Sequence, residues 1–160
     1  MARSIDSRQL LYAHTSAHTS DDTNVAGIGV VIKAPRRHTI HKTSDTKATS
    51  DRVVAAYEAI SIALREAKRM GARAIVIRTD CEPVIWQLEK RVPVSAEQLA
   101  RHLEARSLLN QFHRADIAFV RVEDNRAAHE LAVRAWEHAC RLQGEPEEQL
   151  PLPLVGMGTA

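Results

Sequence analysis

Cysteine is scarce in this chain. Its 160 residues include two, Cys81 and Cys140, far apart and in no C-x-x-C spacing. That excludes a disulfide framework and a zinc or redox motif built on paired thiols, and it fits a reducing compartment. Long apolar runs are missing too. None approaches a membrane span, and the N-terminal residues lack the apolar stretch of a signal peptide, so the expectation is a soluble cytoplasmic protein with no membrane partner. Neither sign of charge dominates: 22 Lys+Arg face 20 Asp+Glu, for a formal net charge of +2. This is not the strongly basic signature of a protein that lives on phosphate backbones, although a local basic face can coexist with a neutral total. Internal repeats are absent. Apolar residues are plentiful, at 44% of the chain, which suits one domain with a full core.

The pattern along the chain predicts a mixed α/β domain over residues 1–143 and a flexible tail over residues 144–160. Residues 1–8 are polar and carry no element. Gln9 to Ala13 reads as a strand, Asp21 to Asn24 as a turn, and Val25 to Lys33 as a β-branched second strand. After a turn at Pro35-Arg36-Arg37, His38 to Thr43 pairs back as a third strand. Thr49-Ser50-Asp51 offers N-caps for a helix over Val53 to Met70, which Gly71 stops. Its apolar stripe is Val53, Tyr57, Ile60, Leu64 and Ala67. Ala74 to Arg78 reads as a buried strand, and Glu82 to Lys90 as a helix with proline in its first turn. Ser95 and Gln98 form a capping box for a helix to Gln111. Asp116 to Val122 is the fifth strand, and Asn125 to Leu142 the last helix. A strand, a helix and a further strand imply a right-handed parallel crossover. The predicted sheet therefore has an antiparallel three-strand meander on one side and two parallel strands on the other, with helices on both faces.

Three short segments carry a resemblance. Tyr12-Ala13-His14-Thr15-Ser16-Ala17 is similar to the Tyr-Thr-Asp-Gly-Ser-Ala of ribonuclease H type 1 domains. Thr79-Asp80-Cys81 stands where that family reads Ser/Thr-Asp-Ser. Asn125-Arg126-Ala127-Ala128-His129-Glu130-Leu131-Ala132 resembles Asn-Lys-Glu-Ala-Asp-Ala-Leu-Ala. The helix from Ala55-Ala56-Tyr57 to Gly71-Ala72-Arg73, with the strand Ile75 to Asp80, extends the likeness, which spans roughly residues 8 to 142. The β-β-β-α-β-α-α-β-α order is also that of the ribonuclease H-like fold.

The resemblance implies cleavage of RNA in RNA–DNA hybrids by two divalent ions about 3.5–4 Å apart, held by four carboxylates. Of those four positions only Asp80 keeps its acid. The others fall on His14, Ala56 and His129. Magnesium prefers hard oxygen ligands, so a two-magnesium site is not expected. Thr15 and Ser16 fall where the family approaches nucleic acid. Neighbouring acids do not replace the lost ones: Glu58 lies about 200° around its helix from Ala56, Glu130 follows His129, and Asp21 and Asp22 sit in the turn. Two histidines and an aspartate are a ligand set suited to one divalent transition metal, manganese, zinc or iron. On that reading His14, Asp80 and His129 bind a single ion; on the plainer one, the imidazoles only fill a polar cleft beside Asp80. Arg101, Arg106 and Arg114 are at most a modest backbone grip, and Trp86 and Trp136 read as core.

The tail has a pattern of its own. Gln149-Leu150-Pro151-Leu152-Pro153-Leu154 resembles the Gln-Leu-x-Leu-x-Leu hexapeptide with which bacterial replication proteins bind the DNA sliding clamp. Gln149, Leu150, Leu152 and Leu154 would make the contact, from a peptide pre-extended by its prolines. Three functions follow from these readings. One is a nucleic-acid-associated ribonuclease H-like protein, partner to a hybrid or duplex, without two-metal cleavage. The second is an active hybrid ribonuclease with a His/Asp metal site. The third is an interaction module recruited to the clamp.

Overall fold

Side chains alternate between the faces of a strand. In β1 (Leu10–His18) this sends Leu11, Ala13, Thr15 and Ala17 to one face and Tyr12, His14, Ser16 and His18 to the other. The first set is buried, and its Leu11, Ala13 and Ala17 join the main core; the second carries the polar groups of the site. The structure is a computed structural model and describes residues 10–36 and 38–144, so residues 1–8 and the tail positions Gln149, Leu150, Leu152 and Leu154 lie outside the described residues.

Around β1 the sheet has the order β3-β2-β1-β4-β5. β2 (Ala26–Lys33) and β3 (Thr39–Lys47) complete an antiparallel meander. β4 (Ala74–Thr79) and β5 (Arg114–Phe119) extend the other side in parallel. This is the mixed five-stranded sheet that the sequence predicts. Strand ends differ from the sequence reading because partners set them. β1 runs past Ala13 to His18, since β2 supplies pairs as far as His18↔Gly27 and β4 as far as Thr15↔Thr79. β3 runs past Thr43 because β2 continues to Ala26↔Lys47. β5 starts earlier and stops earlier than expected, held in register from Ala74↔Arg114 to Thr79↔Phe119. Val120 leaves the strand, and Val122–Asp124 forms a single 3-10 turn.

On one face lies α1 (Arg52–Arg69), covered in turn by α3 (Ala96–Leu109). Asp51 caps α1, its Oδ1 accepting from the Val53 amide at 2.8 Å and the Val54 amide at 3.3 Å. Because α1 is sandwiched between sheet and helix, its buried surface is wider than a single stripe and takes in Ala55, Ala56, Ala59 and Ala63. Gly71, at φ 84°, ends the helix with a backbone that a side chain would strain. α2 (Glu82–Leu88) stops short of Lys90, which adopts φ 60°. Only half of the expected capping box forms at α3. The Ser95 hydroxyl accepts from the Gln98 amide, but the Gln98 side chain bridges Gln87 and Asp51 instead of reaching back.

α4 (Arg126–Gly144) covers the other face, against β2 and β1. Two glycines fix how close it comes. A Cβ built on Gly29 would stand 2.0 Å from the Ala128 carbonyl oxygen, and one on Gly27 would stand 1.8 Å from that of Ala132. Ala128 and Ala132 are themselves fully buried. The helix backbone thus rests directly on the strand, and small residues on both sides are required. Gly29→Ala is expected to destabilise the protein by about 3 kcal/mol, since the clash is with backbone that cannot rotate away. Urea unfolding measures this, and a variant as stable as the parent would show that α4 does not hold this position.

Candidate functional site

The ends of β1 and β4 and the starts of α1 and α4 converge on Asp80, the residue after β4. Its side chain is buried, with 4% of the residue exposed. Oδ2 accepts from the Ser16 hydroxyl at 2.6 Å and from Asn125 Nδ2 at 3.2 Å. Arg52, at the first position of α1, approaches Oδ1 at 3.4 Å, and the same guanidinium nitrogen donates to the Asp80 carbonyl at 3.0 Å. Arg52 precedes Ala56 by four residues, so the two share one face of the helix. The family position that would carry a glutamate is therefore a buried methyl group, and one turn earlier a cation has been placed.

Hydrogen-bond polarity fixes the roles of the two histidines. Asn125 Nδ2 donates to Asp80 and, at 2.8 Å, to the Thr15 carbonyl. Its Oδ1 is therefore an acceptor, and the His14 Nδ1 that meets it at 3.2 Å is a donor. The one hydroxyl proton of Ser16 goes to Asp80, so His129 Nδ1, at 3.5 Å from Ser16 Oγ, is a donor as well. Every arrow leads toward Asp80: His14 through Asn125, and His129 through Ser16.

The nitrogens that His14 and His129 turn toward the cluster carry protons and offer no lone pair. Asp80 accepts three donors, one of them a fixed cation. Among the described residues no group of three or more His, Cys, Asp or Glu side chains is placed to hold a metal ion. His14, Asp80 and His129 share one hydrogen-bond network, His14 through Asn125 and His129 through Ser16. The neighbouring acids stay away: Glu58 pairs with Lys47 and Arg101 on the far side of α1, and Glu130, Asp21 and Asp22 are exposed.

Several other sequence-predicted residues have structural tasks. Thr15 and Ser16, read as nucleic-acid contacts, are buried. The Thr15 hydroxyl donates to the Arg78 carbonyl at 3.2 Å and its own carbonyl accepts from Asn125. Arg101 is paired with Glu58 and Glu104, and Arg114 with Asp116. Trp136, read as core, is half-buried; its indole N–H donates to Thr23 and its ring meets the edge of His18 at 4.8 Å. Sequence reasoning missed Arg52 and Asn125. The signal for Arg52 was its four-residue step from Ala56; that for Asn125 was its place at the head of the last motif.

Sheet order and cluster together define a ribonuclease H-like domain. The model of the reverse transcriptase-like family matches residues 14–135, and the chain belongs to that family. Among solved structures it is similar to the N-terminal RNase H domain of Rv2228c from Mycobacterium tuberculosis, at 21% identity and a TM-score of 0.78 over 84% of this chain and 98% of that one. It is similar to RNase H1 of the halophilic archaeon Halobacterium salinarum, at 25% identity and a TM-score of 0.75 over 81% and 98%. LC11-RNase H1, solved in complex with an RNA/DNA hybrid, matches at 22% identity and a TM-score of 0.74 over 81% and 99%. No curated protein matches the chain.

Three histidines bind protons less readily here than in water. Burial lowers the pKa of His14, helped by Lys33 and Arg78 and opposed by its bond to Asn125. Burial also lowers that of His18, with His129 and Arg52 adding to it and Glu137 opposing, and that of His102, with Arg106 adding to it. Folding therefore releases protons from these groups. Their stability contribution is full above the unfolded value of 6.5 and is lost as the pH falls from there through the lowered folded values. The thermal midpoint is expected to fall by several degrees between about pH 7.5 and 5.5, with a smaller fall in His14→Gln. A midpoint that rises on acidification would contradict this.

Proposed function

We propose that this protein binds RNA–DNA hybrid or a related duplex and does not cut it by two-metal chemistry. The observation that carries the proposal is the occupation of Asp80, the one acid left at the four family positions, by Ser16, Asn125 and Arg52. With Arg52 in place, a divalent ion about 4 Å from the guanidinium would be repelled by roughly 8 kcal/mol at an effective dielectric constant near 20. A centre that needs four carboxylates and two ions has been exchanged for one carboxylate and one guanidinium, which neutralise each other. Such a site no longer repels a phosphate backbone in the absence of ions. Support for the ligand class comes from LC11-RNase H1, of the same fold, whose structure holds an RNA/DNA hybrid.

Labelled hybrid incubated with the protein in Mg²⁺, Mn²⁺ or Zn²⁺, beside an Asp80→Ala control, tests the reading. The expected result is a mobility shift without cleavage in any ion. Cleavage that vanishes in the control would overturn the proposal and establish metal-dependent cutting at Asp80. Neither shift nor cleavage would also overturn it and leave the interaction-module reading.

The proposal extends to the tail, where Gln149, Leu150, Leu152 and Leu154 would carry the protein to the sliding clamp. Its support is the hexapeptide pattern and its place in the sequence after α4. Deleting residues 149–154 is expected to abolish retention on immobilised clamp and leave hybrid binding intact; unchanged retention would remove this part.

A further inference from the structure

On the α4 face of the sheet, below Asp80, lies a cleft of about 440 Å³ whose walls include Tyr12, His14, Lys33, Pro35, Arg78 and Asp124. Strand pairing explains who meets there. β1 runs between β2 and β4, with Lys33 opposite Tyr12 on one side and Arg78 opposite His14 on the other. Paired residues share a face, so both cations project from it. Their backbones are two strand spacings apart across the sheet and two residues apart along it, about 11–12 Å in all, a gap that long side chains can close on one small anion.

The charges in this cleft are unbalanced. Asp124 is held by Arg121, which reaches it through two nitrogens at 3.2 Å. Asp80 is matched by Arg52. Among the described residues neither Lys33 nor Arg78 takes part in any ion pair. Both acids near the cleft therefore have partners, and its two cations have none. Arg78 is also oriented: its guanidinium carbon stands 5.8 Å over the centre of the Tyr12 ring, which limits its freedom before a ligand arrives. His14 senses both cations, since Lys33 and Arg78 each lower its affinity for a proton. Two like charges acting on one ring face a common space.

We propose that this cleft is a binding site for a phosphate group, held between Lys33 and Arg78 beside Tyr12. A guanidinium offers two parallel N–H donors to phosphate oxygens and an ammonium offers a point charge, so together they match a tetrahedral anion. The site shares no side chain with the Asp80 carboxylate cluster except His14, and it goes beyond the duplex-binding proposal: it stands whether or not the chain binds hybrid. Phosphate could come from a free nucleotide or from the phosphorylated end of a strand.

The experiment is a calorimetric titration of the full-length protein with inorganic phosphate at low salt, repeated on Lys33→Gln and Arg78→Gln. Saturable binding is expected in the parent, weakened about tenfold or more in each variant, because each removes a charge-assisted contact. Thermal midpoints check that the variants are folded. No saturable binding in the parent, or binding that neither folded variant weakens, overturns the proposal. Two further arms assign the source. A nucleoside 5′-monophosphate that binds more tightly than phosphate alone supports the site and assigns it to nucleotides. A hybrid that gains affinity only when it carries a 5′-phosphate supports the site and assigns it to strand ends. Phosphate binding in a protein that ignores hybrid would remove the proposed function and leave this inference standing.

Discussion

A carboxylate taken out of water must be met by positive charge or by donated protons, or it will not stay ionised there. Asp80 meets this requirement entirely from within the chain. Arg52 supplies the charge, Ser16 and Asn125 supply the protons, and His14 and His129 stand behind those donors. The five come from three places: His14 and Ser16 from β1, Arg52 from α1, and Asn125 and His129 from the start of α4. The requirement of one buried oxygen pair therefore fixes how four chain segments end beside one another.

That convergence depends on packing further along the same elements. α4 can bring Asn125 and His129 to the site because Gly27 and Gly29 let its backbone lie on β2. α1 is steadied from its outer side. The Tyr57 hydroxyl donates to Gln87 and meets His102 Nδ1, both at 2.8 Å; Gln87 donates to Gln98, and Gln98 to Asp51, the cap of α1. Tyr57 is fully buried and its phenol is pushed well above the usual range by burial, so its hydroxyl keeps its proton at any ordinary pH. Arg52 follows directly after that cap. Bonds on one side of α1 thus hold the cationic residue on the other.

Most of the architecture was legible in the sequence because the signals are local. A period of two marked the strands, a period of 3.6 marked the helices, and Gly71 and Ser95 marked helix ends. The ends of β1, β3 and β5 were not legible, since a polar stretch such as Thr15-Ser16 continues a strand only when neighbours on both sides offer bonds. The site was legible as a set of positions, but its hydrogen bonds were not. His14 and His129 read as ligands because imidazole and carboxylate at metal positions suggest coordination; their roles as donors depend on Asn125 and Ser16, which no spacing reveals. Arg52 escaped notice because what matters is the absence of a side chain at Ala56, one turn away, and the space this leaves.

The Arg52–Asp80 pair differs from an ion-filled centre in a way that concerns the cell more than the fold. Metal ions exchange with a pool, so a centre built on them is loaded or empty according to supply, competing chelators and the presence of substrate. A guanidinium is joined to the backbone by covalent bonds. It cannot be diluted, stripped or replaced by a neighbouring element of the same valence, and it is not lost to deprotonation at physiological pH. On the proposed function, the charge of this centre is settled at translation, so whatever the surface around Asp80 recognises, it would recognise on the same terms in a magnesium-starved cell as in a replete one.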